Sequence, residues 1–67
     1  MIYYVNKNAQ NTGEHEVHKE TCSYLPSSDN RIHLGDFNNC KDALNEASKH
    51  YNNVDGCYYC SNECHTK

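Results

Sequence analysis

Apolar and polar positions alternate along this chain in short runs. Residues 2–5, Ile-Tyr-Tyr-Val, are β-branched and aromatic and read as a strand. A polar stretch, Asn6 to Gly13, follows as a loop, and His15-Glu16-Val17-His18 resumes a two-residue alternation with Val17 pointing one way. The pair predicts a hairpin with a long loop. Pro26 and the Ser/Asp/Asn cluster from Ser27 to Asn30 mark a turn, after which Arg31-Ile32-His33-Leu34 reads as a third short strand ended by Gly35. From Asn39 the period changes to that of a helix: Cys40, Ala43, Leu44, Ala47 and Tyr51 share one face, Asn39 can cap, and Asp42 stands three residues on. Lys49 and His50 fall in its last turn, where cations suit the helix dipole, and the stretch Asn52 to Gly56 breaks the helix before a cysteine-rich end. The pattern predicts a single α+β domain over residues 1–67, with about three antiparallel strands, one main helix and a C-terminal C-x-x-C turn. No repeat, linker or low-complexity tract interrupts it.

Composition shows what this arrangement lacks. Only eight bulky aliphatic residues are present (Ile2, Val5, Val17, Leu25, Ile32, Leu34, Leu44 and Val54), and the mean hydropathy is −1.06. A chain of 67 residues buries only about 60% of its extended-chain surface. Six tyrosines and one phenylalanine must therefore supply much of the interior, and a metal ion or disulfides must supply the remaining stability. The N-terminus has no basic segment followed by an apolar run of about 7–15 residues, so no secretory signal is read, and no membrane span is present. The expected compartment is the cytoplasm, where thiols stay reduced and a C-x-x-C pair is more often a metal ligand than half of a disulfide framework. The odd count of five cysteines points the same way.

Two donor pairs have metal-ligand spacing. Cys57-x-x-Cys60 follows Gly56, whose tolerance of positive φ is expected to help the backbone curl around an ion, and His18-x-x-x-Cys22 brings two more donors within a turn of each other. His18, Cys22, Cys57 and Cys60 together make a tetrahedral zinc set. Taken singly, His18 reads as a hydrogen-bonded histidine and Cys22 as a buried thiol, so it is the joint spacing that carries the assignment. Cys64 and His65 compete for the same ion, and of the remaining histidines (His15, His33, His50 and His65) it is His65 that stands nearest to replacing His18. The leftover thiols, Cys40 and Cys64, are expected in contact with each other, reduced or oxidised.

The run from Tyr4 to Leu25, the helix Cys40 to Ala47 and the terminal Gly-Cys-Tyr-Tyr-Cys resemble the Ada-like metal-binding domains, as in the Ada DNA-repair methyltransferases and small bacterial and phage zinc modules. The likeness spans residues 3–60 and rests on His18, Cys22, Tyr24, Leu25, Ala43, Leu44, Cys57 and Cys60. It implies a structural zinc ion and an α+β fold. In the repair proteins four cysteines hold the zinc, and the first of the C-x-x-x-C pair accepts a methyl group from a DNA phosphotriester. Position 18 here is histidine, which has no thiolate to alkylate, so that activity is not carried over; Cys22 stays as a candidate thiolate. The prolines and basic residues of the family's C-x-x-C are replaced by Tyr58, Tyr59 and Ser61.

Charge bears on partners. The formal net charge is −3, and three ligating thiolates with one dication would bring it to −4. Neutralising nucleic-acid phosphates is then a poor prospect, and the run Gly13 to Glu20 reads as a solvated strand edge. The expected function is that of a small structural zinc module acting in protein interaction through exposed tyrosines and an acidic surface. The alternatives are a nucleic-acid-binding or damage-sensing module, by analogy with Ada-like domains, and a thiol redox protein using Cys57 and Cys60. No catalytic arrangement is read, so the chain is expected not to be an enzyme.

Overall fold

A computed structural model describes all of Met1–Lys67. The chain forms β1 (Ile2–Asn6), β2 (His15–Lys19), a 3-10 turn (Ser28–Asn30), β3 (Arg31–Asp36), α1 (Cys40–Ala47), β4 (Val54–Gly56) and a second 3-10 turn (Asn62–Cys64). The four strands make one mixed sheet in the order β3-β1-β2-β4. β1 pairs antiparallel with both β2 and β3, whereas β4 lies parallel to β2. The fold is the expected α+β class with one strand more than predicted, because Val54–Gly56 forms a strand as well as breaking the helix.

Alternation along β1 sends Tyr3 and Val5 to one face, where they meet Val17 from β2 and Leu34 from β3. α1 covers this face with Cys40, Ala43 and Ala47, all essentially sealed from solvent, and Leu44 and Tyr51 pack at the margin. The small residues on the helix let it sit close to the sheet. They also keep the apolar gain small, since burying a large aliphatic side chain contributes about 1.5–3 kcal/mol and alanine far less. Asn39 Oδ1 accepts a hydrogen bond from the Asp42 amide at 2.9 Å, the expected N-cap. The helix itself ends at Ala47, so Lys49 and His50 lie in the turns beyond it.

Two glycines behave differently from expectation. Gly35 does not end β3; the strand runs on to Asp36 through a bulge in which Leu34 is the extra residue, and Gly35 takes φ +131°, a conformation open to glycine at little cost. Gly56 is not at positive φ. What it supplies is room: a Cβ there would lie 2.6 Å from the Ser61 carbonyl oxygen and 2.8 Å from Cys64 Cβ. The chain from Cys57 to Cys64 can fold back across β4 only over a residue with no side chain.

Pairing with β4 also makes β2 an interior strand, so the charged run around it is not the solvated edge its composition suggests. Glu14, Val17 and His18 are all buried. Cys40 and Cys64 are joined by a disulfide with their Cα atoms 6.3 Å apart, which ties the start of α1 to the second 3-10 turn. Contact between these two residues was the expected outcome.

Candidate metal centre

His18 and Val17 are neighbours on a strand and must face opposite sides of the sheet. Val17 belongs to the core under α1, so His18 projects from the other face, near the C-terminal end of β2. After β2 the chain turns tightly, with the Cys22 amide donating to the Lys19 carbonyl at 3.0 Å, and this brings Cys22 back beside His18. The parallel register carries β4 along the same edge: Gly56 stands opposite Val17, and the Cys57 amide donates to the Val17 carbonyl at 2.9 Å. Cys57 thus arrives next to His18. The turn Tyr58–Cys60 is closed by the Ser61 amide donating to the Cys57 carbonyl at 2.9 Å, which aims Cys60 at the same point.

The ligand atoms of His18, Cys22, Cys57 and Cys60 all lie within 4.8 Å of one another, a group that could hold a metal ion. Cys22 Sγ and Cys57 Sγ are 3.9 Å apart. That one separation is close to the edge, about 3.8 Å, of a tetrahedron of sulfurs about 2.3 Å from a central zinc. His18 and Cys57 are each only 1% exposed, and Cys22 and Cys60 are partly covered.

The protein alone does not satisfy this cluster. Both ring nitrogens of His18 are buried with no hydrogen-bond partner. The nearest carboxylate oxygen, on Glu16, is 3.7 Å from Nε2, too far for a hydrogen bond. Burial lowers the His18 pKa, so the ring is neutral and this approach is not an ion pair. Leaving such a ring unpaired costs about 1–3 kcal/mol, and a metal at either nitrogen removes part of that cost. Burial also pushes the Cys22 thiol up to about 12, reinforced by its hydrogen bond with Cys60, and raises Cys57 for the same first reason. A dication reverses that balance and draws the thiols into the thiolate form. Two backbone amides already point at sulfur, Lys19 at Cys60 Sγ (3.3 Å) and Tyr24 at Cys22 Sγ (3.4 Å), as donors to charged ligands do. The donor set therefore fits a metal ion.

The competing residues are committed elsewhere. Cys64 is in the disulfide. His65 donates from Nδ1 to the Gly56 carbonyl at 3.0 Å and lies 3.2 Å from an Asp55 carboxylate oxygen. His15 stacks on Tyr51 with ring centroids 3.7 Å apart, His33 sits edge-on to Tyr4, and His50 is exposed. Sequence reasoning missed Ser61, which is fully buried with its hydroxyl 3.8 Å from Cys60 Sγ. Its position directly after the C-x-x-C was the only signal. Asp55 was missed too: buried in β4, it accepts hydrogen bonds from Thr66 and Lys67 and folds the C-terminal residues over itself. No helix of the chain is long and apolar enough to cross a membrane. Comparison of the chain with family models, curated proteins and solved structures returns no match.

Proposed function

We propose that this chain is a small zinc-binding module, that its metal is structural, and that the folded surface acts in protein interaction. The observation that carries the reading is the convergence of one imidazole and three thiols on one point while both nitrogens of the buried His18 ring have no other partner. Three sulfurs and one nitrogen are the donors zinc favours over the harder divalent cations. Four protein donors would complete a tetrahedral coordination, which would leave no position for a substrate. A complete set of protein donors supports a structural rather than a catalytic role. The order of the ligands, H-x-x-x-C before the helix and C-x-x-C after it, adds the Ada-like likeness as support.

Two features weigh against the other readings. A redox dithiol works through an accessible thiolate of lowered pKa, whereas Cys57 is sealed and burial raises its pKa. The net charge of −3 opposes a nucleic-acid role.

Elemental analysis of the purified chain, with circular dichroism before and after a strong chelator, tests the proposal. The expected result is about one zinc per chain and loss of the folded spectrum on chelation, because structural zinc sites supply about 10–16 kcal/mol of apparent binding free energy. A chain that keeps its native spectrum while free of metal would refute it.

A further inference from the structure

Tyr24, Tyr58 and Tyr59 are three of the four large hydrophobic residues that stay more exposed than buried or nearly so, at 56%, 56% and 65%. Scattered exposed aromatics are ordinary, but here Tyr24 and Tyr58 both pack on Tyr59. Tyr24 stacks on Tyr59 with ring centroids 4.2 Å apart and planes 23° from parallel, and Tyr58 meets Tyr59 edge-on at 5.2 Å. Neither the core nor the metal requires them. They lie outside the apolar cluster under α1, and the positions between the cysteines of a C-x-x-C need not be aromatic to supply two sulfurs.

The stack also bridges the two ligand loops. Tyr24 follows Cys22 by two residues, while Tyr58 and Tyr59 lie between Cys57 and Cys60, so the surface exists only where those loops are held together. We propose that this tyrosine cluster, assembled by the metal, is the docking surface for an arginine-bearing segment of a partner protein. The inference rests on the zinc reading and deepens it by naming the partner's chemistry.

Charge selects the occupant. Three thiolates, a neutral imidazole and a dication would leave a net charge of −1 on the ligand set that the same two loops carry, the Glu16 carboxylate is 3.7 Å from the His18 ring, and the whole chain carries −3 before metal binds. Electron-rich ring faces on loops that carry an anionic ligand set attract cations. Arginine is preferred to lysine because its planar, weakly hydrated guanidinium stacks on a phenol ring while still donating hydrogen bonds to carboxylates. The molecule uses this contact internally, with the Arg31 guanidinium carbon 4.5 Å from the centre of the Tyr4 ring. Tyrosine and arginine are also, with tryptophan, enriched among the residues that anchor protein interfaces. A nucleic-acid strand could stack on the same rings, but its phosphates would meet the same negative charge.

The test uses the zinc-loaded chain and a defined probe, an arginine-glycine repeat peptide, with lysine-glycine and glutamate-glycine peptides and oligouridylate as comparisons. Tyrosine ring resonances and the zinc content of each sample are both measured. The expected result is saturable shifts of Tyr24, Tyr58 and Tyr59 with the arginine peptide, weaker binding of the lysine peptide, and none of the glutamate peptide. The double variant Tyr24→Ala/Tyr59→Ala should bind about tenfold more weakly or worse, and Tyr59→Phe, which keeps the ring, should bind as the parent does. If the double variant loses zinc, Tyr58→Ala gives the same reading with the Tyr24–Tyr59 stack left in place. A zinc-loaded sample in which the rings do not respond to the arginine peptide overturns the docking proposal alone, as does tighter binding of oligouridylate. A folded sample without zinc overturns the metal reading itself.

Discussion

Replacing Gly56 with alanine tests the packing beneath the metal loop. The new Cβ would lie 2.6 Å from the Ser61 carbonyl oxygen, 2.8 Å from Cys64 Cβ and 2.9 Å from the Cys64 carbonyl carbon. Two of these are backbone atoms and the third belongs to a disulfide-tied residue, so no flexible side-chain end can give way. The segment Ser61–Cys64 must lift instead. That movement strains the hydrogen bonds from the Ser61 amide to the Cys57 carbonyl and from the His65 ring to the Gly56 carbonyl. Overpacking typically costs about 1–3 kcal/mol, and weakening two hydrogen bonds places Gly56→Ala at the upper end, about 3 kcal/mol. On the proposed reading, in which the metal supplies stability that the thin core lacks, a loss of folding free energy would appear directly as a loss of metal affinity. At about 1.4 kcal/mol for each factor of ten, zinc affinity should fall by about 100-fold. Competition with a chromogenic chelator measures that affinity, and urea unfolding of the zinc-loaded protein measures stability. An affinity within about threefold of the parent, with an unchanged urea midpoint, would refute the reasoning.

Removing the disulfide as Cys40→Ala/Cys64→Ala should destabilise the zinc-loaded chain by about 3 kcal/mol, the loop-closure entropy for a sequence separation of 24, read as a lower urea midpoint. A parent whose midpoint is unaffected by a thiol reductant would contradict this. Asn39→Ala removes the side-chain acceptor for the Asp42 amide and should cost about 1 kcal/mol without changing zinc stoichiometry. Acidification should release the metal. Burial holds the folded His18 pKa below its ordinary value, so the unfolded chain takes up more protons; stability is full above about 6.5 and falls as pH drops below it. Competition between protons and zinc for the thiolates acts in the same direction, and a zinc-sensitive dye should report release beginning below about pH 6.5. Retention unchanged down to pH 5 would count against His18 as a ligand.

Much of the fold was legible because its signals are local. The helical recurrence of Cys40, Ala43 and Ala47 and the cap at Asn39 need only neighbouring residues to be recognised, and the structure places them as read. The H-x-x-x-C and C-x-x-C spacings are local too, and the structure brings those four side chains together. What was not legible depended on distant partners. Val54–Gly56 is three residues long and contains a charged residue and a glycine, so nothing in it announces a strand; only its pairing with β2 makes it one. The same pairing turns the charged run of β2 into an interior strand and buries Glu14 and His18. Gly56 was identified as necessary but for a conformational reason, when the cause is the close passage of Ser61 and Cys64, residues that sequence spacing cannot place against it.

That unannounced strand is also why the two ligand pairs meet. Cys22 and Cys57 are separated by 35 positions, and each follows closely on the end of a strand, β2 and β4. Parallel strands end at the same edge of a sheet, so the chain leaving β2 and the chain leaving β4 emerge side by side, and the Cys57 amide continues the ladder onto the Val17 carbonyl. Had β4 paired antiparallel to β2, the C-x-x-C would have begun at the opposite end of β2 from the turn that carries Cys22. Parallel pairing is slightly the weaker kind per residue and needs a crossover of a dozen residues or more. Here the connection from β2 to β4 runs through β3 at the far edge of the sheet and then α1, and a partner strand of three residues can hold little by its ladder alone. The ties that secure β4 lie beyond its end: the His18, Cys22, Cys57 and Cys60 cluster toward β2, and the Cys40–Cys64 bond toward α1. The parallel pairing places the ligands together, and a metal held by those ligands would in turn keep so short a strand in register.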